Sequence, residues 1–341
     1  MLFGCTLGYY HTLMPFFIKL SNKYLYCIIR VKMTTMNGHE SNHINSKIHK
    51  LKCNAEEKVE RVVSIFLKYY IISPAYRVLW IWAGILSISS AAMFLDLPMN
   101  YFSNKKNFLN VYFVKWSWGW TLISAGTYMA VTSFVHGCES WKKAIYFGFL
   151  RLAAATAVWY FWVNIVFHYI ENITGICLNA KKVPLFNITS KRDCIRLKKG
   201  HVWDGFDISG HCFLLSFSIL VITSELQIQR YWINILSHAA QHVPIGSKTL
   251  ATLKSNYQST LFTVQCLFIF NCILCLIWDF MIIMTCLFFH TFFSKALGGS
   301  IGIFSWMLLY NEWFKCKFSP GPPGYGPIKS ILTANTFSKI K

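Results

Sequence analysis

The chain of 341 residues is 55% hydrophobic and 17% aromatic but only 13% charged, more apolar than a soluble core of this length requires. Its formal charge of +20 does not mark a nucleic-acid partner, because the basic residues sit in tails and loops between apolar blocks and form no basic helix or recognition motif. A polytopic membrane protein remains, whose basic segments suit anionic headgroups or phosphate-bearing ligands.

Residues 1–35 begin MLFGCTLGYYHTLMPFFIKL and lack the compact apolar core and small-residue cleavage site of a signal peptide. They are set apart from the expected fold, with Met33 or Met36 as an alternative start. From there to residue 76 the chain is polar and charged, and EEKVERVVSIFLKYY predicts an amphipathic helix on a membrane surface.

Stretches able to cross roughly 30 Å of hydrocarbon follow near 78–97, 112–134, 149–170, 208–226, 261–288 and 296–312. The sequence thus predicts an all-α bundle of about six spans over 77–313, a tail of 1–76 before it and a tail of 314–341 after it, opened by the turn segment SPGPPGYGP. Both tails are basic, which places both termini in the cytosol.

One loop opposes that count. Between the third and fourth spans, Lys181, Lys182, Lys191, Arg192, Arg196, Lys198 and Lys199 would by themselves argue for the cytosol. The same loop carries the chain's two glycosylation acceptors, at Asn172 and Asn187, together with Cys177 and Cys194, which suit a disulfide in an oxidising lumen. Taken together these features place the loop in the lumen.

With that topology, WDGFDISGHCFLLSFS puts His211 at the lumenal start of span four, and His290 stands at the lumenal end of span five. If the helix extends back to Asp207, that carboxylate lies four residues from His211 on one face and fixes its tautomer, with Asp204 on the same face. A lone histidine there reads as an interfacial residue; a second one at the same level points to chemistry.

Five blocks in order carry a family resemblance: VYFVKWSWGWT at 111–121, YIENITGIC, FDISGHCFLLSFS, FHTFFSKALG at 289–298 and KFSPGPP. Across residues 74–323 the chain resembles the fat storage-inducing transmembrane proteins, six-span proteins of the endoplasmic reticulum that serve lipid droplet formation and are similar to lipid phosphate phosphatases. The resemblance implies a lipid phosphate phosphatase-like bundle that cleaves the diphosphate of fatty acyl-CoA on the lumenal side. It implies His290 as nucleophile and His211 as general acid, with Asp207 and Ser209 in support. Charge on the phosphoryl group then has to be offset without a metal motif or cofactor, with Lys295, Arg196, Lys198 and Lys199 as candidates. Two departures stand out: the acid four residues after the second histidine is Ser294, and Lys143 and Arg151 read as topology determinants and not as a phosphate clamp.

Several other features read as structural. Cys272 and Cys275 pack as small hydrophobes, and His238 and His242 lie on a solvated face with no third metal ligand. Asp279 lies at membrane depth, where an acid is a candidate for function unless a partner such as Asn271 satisfies it. The alternative to the enzyme is a binder of triacylglycerol or diacylglycerol that partitions neutral lipid into droplets, a role with no use for paired imidazoles.

Overall fold

The structure is a computed structural model that describes residues 55–185, 187–197, 200–232, 235–242 and 248–324. Lys198, Lys199, most of the N-terminal tail and residues beyond 324 lie outside the described residues, as do the side chains of His238 and His242. Residues from Glu60 onward form one compact unit; of the preceding unit only 55–59 is described.

Helix α1 (Ala55–Tyr69) is followed after a break by α2 (Pro74–Ala91), the two axes bent by 72°. Pro74 sits in the first turn of α2, where its missing N–H costs nothing. A π-helical turn, Leu109–Val114, then leads into α3 (Ser117–His136). Helix α4 (Trp141–Tyr160) runs through a second π segment into α5 (Phe167–Thr174). After a loop with strands β1 (Ile176–Leu178), β2 (Pro184–Leu185) and β3 (Val202–Asp204) around a short α6 (Lys191–Arg196), the chain returns as α7 (Gly210–Leu226). Short helices α8 (Gln229–Trp232) and α9 (Ile235–His242) precede the 41-residue α10 (Lys248–Phe288) and then α11 (Phe292–Trp306). At about 1.5 Å per residue α10 is roughly 60 Å long, about twice the hydrocarbon thickness.

Four described segments are each long and apolar enough to span: Trp141–Thr174, Gly210–Trp232, Lys248–Phe288 and Phe292–Lys315, with the bent pair α1–α2 as a fifth. The remaining predicted span is α3, which has the length but not the hydropathy. Its Ser117, Thr121, Ser124, Thr132, Ser133 and His136 are all buried, so the bundle hides the polarity that lowers its score.

Helix α7 is the hub. From Cys212 to Leu226 every residue except Leu214 is buried, which fits a helix that is apolar on all sides. It is packed by α2, α3, α10 and, most closely, α11. Gly298 and Gly302, one turn apart, make that approach possible: a Cβ on Gly298 would stand 2.4 Å from the Ser209 carbonyl oxygen, and one on Gly302 would stand 2.7 Å from that of Phe213. Below His211 an aromatic ladder joins α5, α7, α3 and α4 through Phe167, Phe213, Phe217, Trp118 and Trp159.

Arg151, read from sequence as a topology determinant, is a buried partner, and so is Arg77 at the start of the first predicted span. Arg151 makes a two-pronged bond to Glu225, both distances 2.9 Å, and the Tyr310 hydroxyl donates to the same carboxylate. Arg77 pairs with Asp279, which also accepts from Tyr70. Asp279 is therefore satisfied by an arginine; Asn271 instead donates to the carbonyl of Ser124. An unpaired charge in such surroundings would be far more costly than the paired one, which is why these residues turn inward once a partner is available.

The loop at 175–204 is a small antiparallel sheet of order β2-β1-β3, with Cys177 opposite both Leu185 and Trp203. Cys177 is bonded to Cys194, tying β1 to α6. The Trp203 indole donates to the Glu171 carbonyl at 2.9 Å, fastening the sheet to the end of α5.

Candidate active site

The site grows from the starts of two helices held against each other. Ser209 caps α7 by accepting from the Cys212 N–H, and Thr291 caps α11 by accepting from that of Ser294. The two caps are joined: the Ser209 N–H donates to the Ser294 carbonyl at 3.2 Å, and the Ser294 hydroxyl donates to the Asp207 carbonyl. Ser294 thus works as a strut at the position where the family resemblance leads one to look for an acid.

His211 is the second residue of α7. His290 lies between α10 and α11 with φ of 57°, a left-handed turn that ends α10 and swings the imidazole toward α7. The rings are 6.5 Å apart, centroid to centroid. Although His290 projects its backbone at the turn, its side chain is only 19% exposed.

Each imidazole has one nitrogen occupied. His290 Nδ1 lies 3.3 Å from Asp207 Oδ2, leaving Nε2 free. His211 Nε2 lies 3.1 Å from Asn110 Oδ1. The Asn110 amide nitrogen is committed to the Lys105 carbonyl at 2.7 Å, so its oxygen faces the ring and His211 Nε2 is the donor. His211 Nδ1 is then the nitrogen left to exchange a proton with a ligand. Burial is the main influence on His290 and holds its pKa below the ordinary imidazole value. The Asp207 carboxylate opposes this, while Lys105 and Lys295 act with burial. His290 is therefore neutral at pH 7, as a nucleophilic nitrogen must be.

The predicted pairing of Asp207 with His211 is not what forms. Helix α7 begins at Gly210 and residues 205–209 lie outside any helix, so the four-residue helical spacing does not apply and Asp207 turns to His290. Asp204 belongs to β3, opposite Ile176, and is not on a helical face at all. Lys295 is buried between α10 and α11, its ammonium donating to the Cys286 carbonyl at 2.6 Å. Arg196 is exposed on α6, 3.6 Å from Asp193, beside an open cavity of about 740 Å³ lined by Asn172, Lys191 and Arg192 and containing neither histidine. Sequence reasoning missed Asn110. The available signal was a polar, asparagine-rich run, Asn100 to Asn110, just before the VYFVK block.

A family model described as FIT, fat storage-inducing transmembrane protein, matches residues 98–310, a range that contains both histidines, Asp207 and Asn110. The chain belongs to this family. The chain is 36% identical over 235 residues to a Xenopus tropicalis protein named acyl-coenzyme A diphosphatase FITM2, covering 67% of this chain and 78% of that one. A Drosophila melanogaster protein of the same name is 31% identical over 266 residues, covering 73% of this chain and 61% of its own length. Human fat storage-inducing transmembrane protein 1 is 28% identical over 259 residues, covering 74% and 80% respectively. No solved structure matches the chain. Within the FIT family range, the two histidines converge with Asp207 and Asn110 as their partners.

Proposed function

We propose that this FIT family member is a fatty acyl-CoA diphosphatase of the endoplasmic reticulum membrane, releasing acyl-phosphopantetheine and adenosine 3′,5′-bisphosphate and thereby supporting lipid droplet formation. The observation that carries the reading is the pair of imidazoles 6.5 Å apart, one backed by a carboxylate and the other by an amide oxygen, each with one nitrogen free. The name of the amphibian and insect relatives supplies the substrate class.

His290 Nε2 attacks one phosphorus of the diphosphate, forming a P–N bond as the bridging P–O bond breaks. His211, protonated on Nδ1 once the anionic diphosphate sits beside it and favours its charged form, gives that proton to the departing phosphate oxygen. Water then attacks the phosphohistidine, His211 takes the proton from water, and the P–N bond breaks to restore neutral His290. Asp207 accepts from His290 Nδ1–H, which orients the ring and steadies the positive charge it gains in attack.

In this reading the histidine-bearing end faces the lumen and both termini lie in the cytosol. The Cys177–Cys194 bond and exposed Asn187 support that orientation. A glycosidase-sensitive shift that disappears in Asn187→Gln is the expected outcome. Labelling of the 175–204 loop by an impermeant thiol reagent after reduction, applied from the cytosolic side of sealed microsomes, would reverse the topology.

The activity test is purified protein with long-chain acyl-CoA, following both products. His211→Ala and His290→Asn should each remove most turnover, the second without disturbing the turn, because asparagine tolerates positive φ. A phosphoryl-enzyme should be trapped in wild type and be absent from His290→Asn. Hydrolysis at wild-type rates in both variants would refute the reading.

A further inference from the structure

Lys198 and Lys199 lie outside the described residues, and the two described candidates for binding phosphate at the histidines are engaged elsewhere. Lys295 is buried and committed to a carbonyl, and Arg196 stands with Asp193 in a surface loop. Arg77 and Arg151 are neutralised inside the bundle by Asp279 and Glu225, and Lys191 is paired with Glu171.

Asn110 leads to another source. Its amide, whose oxygen meets His211, donates to the backbone of Lys105 at 2.7 Å, and its own carbonyl accepts from the backbone N–H of Lys115 at 3.0 Å. The backbones of both lysines are thereby held by the residue whose side chain is hydrogen-bonded to His211. The segment is stiffened from within: Asn107 accepts from the Asn110 N–H at 2.8 Å and donates to the carbonyl of Asn104, while Asn100 caps the turn at Tyr101–Ser103. Both lysine side chains are exposed and form no ion pair among the described residues. Residues 97–138 contain no Asp or Glu, so nothing on this segment offsets their charge. The charges of both act on His211, and that of Lys105 on His290 as well.

We propose that Lys105 and Lys115, held by Asn110 beside His211, are the phosphate clamp of the histidine site and receive the diphosphate oxygens of the substrate. This rests on the diphosphatase reading. Two ammonium groups carried on backbone held beside His211 would supply the positive field a transferring phosphoryl group needs.

The test uses the full chain in detergent with Lys105→Gln, Lys115→Gln, the double variant, the arginine counterparts, and Lys106→Gln as an exposed neighbour. The first readout requires no turnover: protection of His290 by inorganic phosphate against diethyl pyrocarbonate, followed by peptide mass. Wild type and Lys106→Gln should be protected. Each glutamine variant should need on the order of ten- to a hundred-fold more phosphate, and the arginine variants should recover most of the effect. The second readout is acyl-CoA hydrolysis, which Lys105→Gln and Lys115→Gln should each depress and Lys106→Gln should not. Equal protection in the double variant and wild type, or none in wild type, overturns the clamp. If no protein hydrolyses acyl-CoA, the diphosphatase reading falls, and the protection experiment still decides whether the lysines bind phosphate at the histidines.

Discussion

Gly298→Ala tests whether the site depends on how closely α11 approaches the start of α7. The added Cβ would stand 2.4 Å from the Ser209 carbonyl oxygen and 3.2 Å from its carbon, both backbone atoms that cannot rotate away. Restoring ordinary contact at 3.4 Å requires the two helix starts to part by about 1 Å. That gap opens where Ser209, Ser294 and Asp207 are bonded together, so it separates the elements that position His211 from those that position His290. Overpacking of this kind costs ~1–3 kcal/mol, and a misplacement near 1 Å between reacting groups costs ~10²-fold in rate. Two neighbouring glycines are controls. A Cβ on Gly210 meets nothing within 4 Å, and one on Gly299 would stand 2.5 Å from Ile85 Cδ1, the end of a side chain that can shift where backbone cannot. Thermal unfolding in detergent and acyl-CoA hydrolysis should therefore show a destabilised, slow Gly298→Ala beside near-normal Gly210→Ala and Gly299→Ala. If Gly298→Ala matches Gly210→Ala in both measurements, the close approach does not position the histidines.

Asp207→Asn removes the one influence that raises the His290 pKa, so the acid limb of kcat/KM, where the nucleophile becomes protonated, should move to lower pH; a pairing with His211 would move the alkaline limb instead. Cys177→Ser, Cys194→Ser and the double variant should loosen the loop equally, by ~2–4 kcal/mol of local stability, read as faster hydrogen exchange in β1 and β3. Faster exchange in the double variant than in either single one would mean that the thiols act separately. Arg151→Met should cost ~3–5 kcal/mol by leaving Glu225 buried and unpaired, and Arg151→Met with Glu225→Leu should recover most of that in thermal unfolding. A double variant no better than Arg151→Met would assign the loss to packing around Met129 and Tyr310 instead.

Much of the site's address was legible in sequence because it is a matter of level. Apolar run lengths place the start of span four and the end of span five at one surface, so His211 and His290 share an interface whatever the packing. The partner of Asp207 was not legible. The four-residue rule assumes a helix already formed at Asp207, whereas Ser209 caps α7 and gives its N–H to Ser294, eighty-five positions away, so the helix starts only at Gly210. The same limit applies to Arg77 and Arg151: local sequence reads a basic residue at a span end as a topology mark, and only a facing carboxylate on another helix turns it inward.

By itself the sequence determined that this chain is a helical membrane protein with basic, cysteine-containing loops, because hydropathy over about 20 residues and charge between the runs are local quantities. Tertiary structure decided which side chains meet. It brought Asn110 to His211 across 101 residues and Asp207 to His290, let two glycines draw α11 onto α7, and folded a basic loop into a three-stranded sheet with no periodic signature of its own. The physical reason is that a buried polar atom takes whichever partner the packed faces present, and in a bundle that partner comes from another helix, at a distance along the chain that no local pattern encodes.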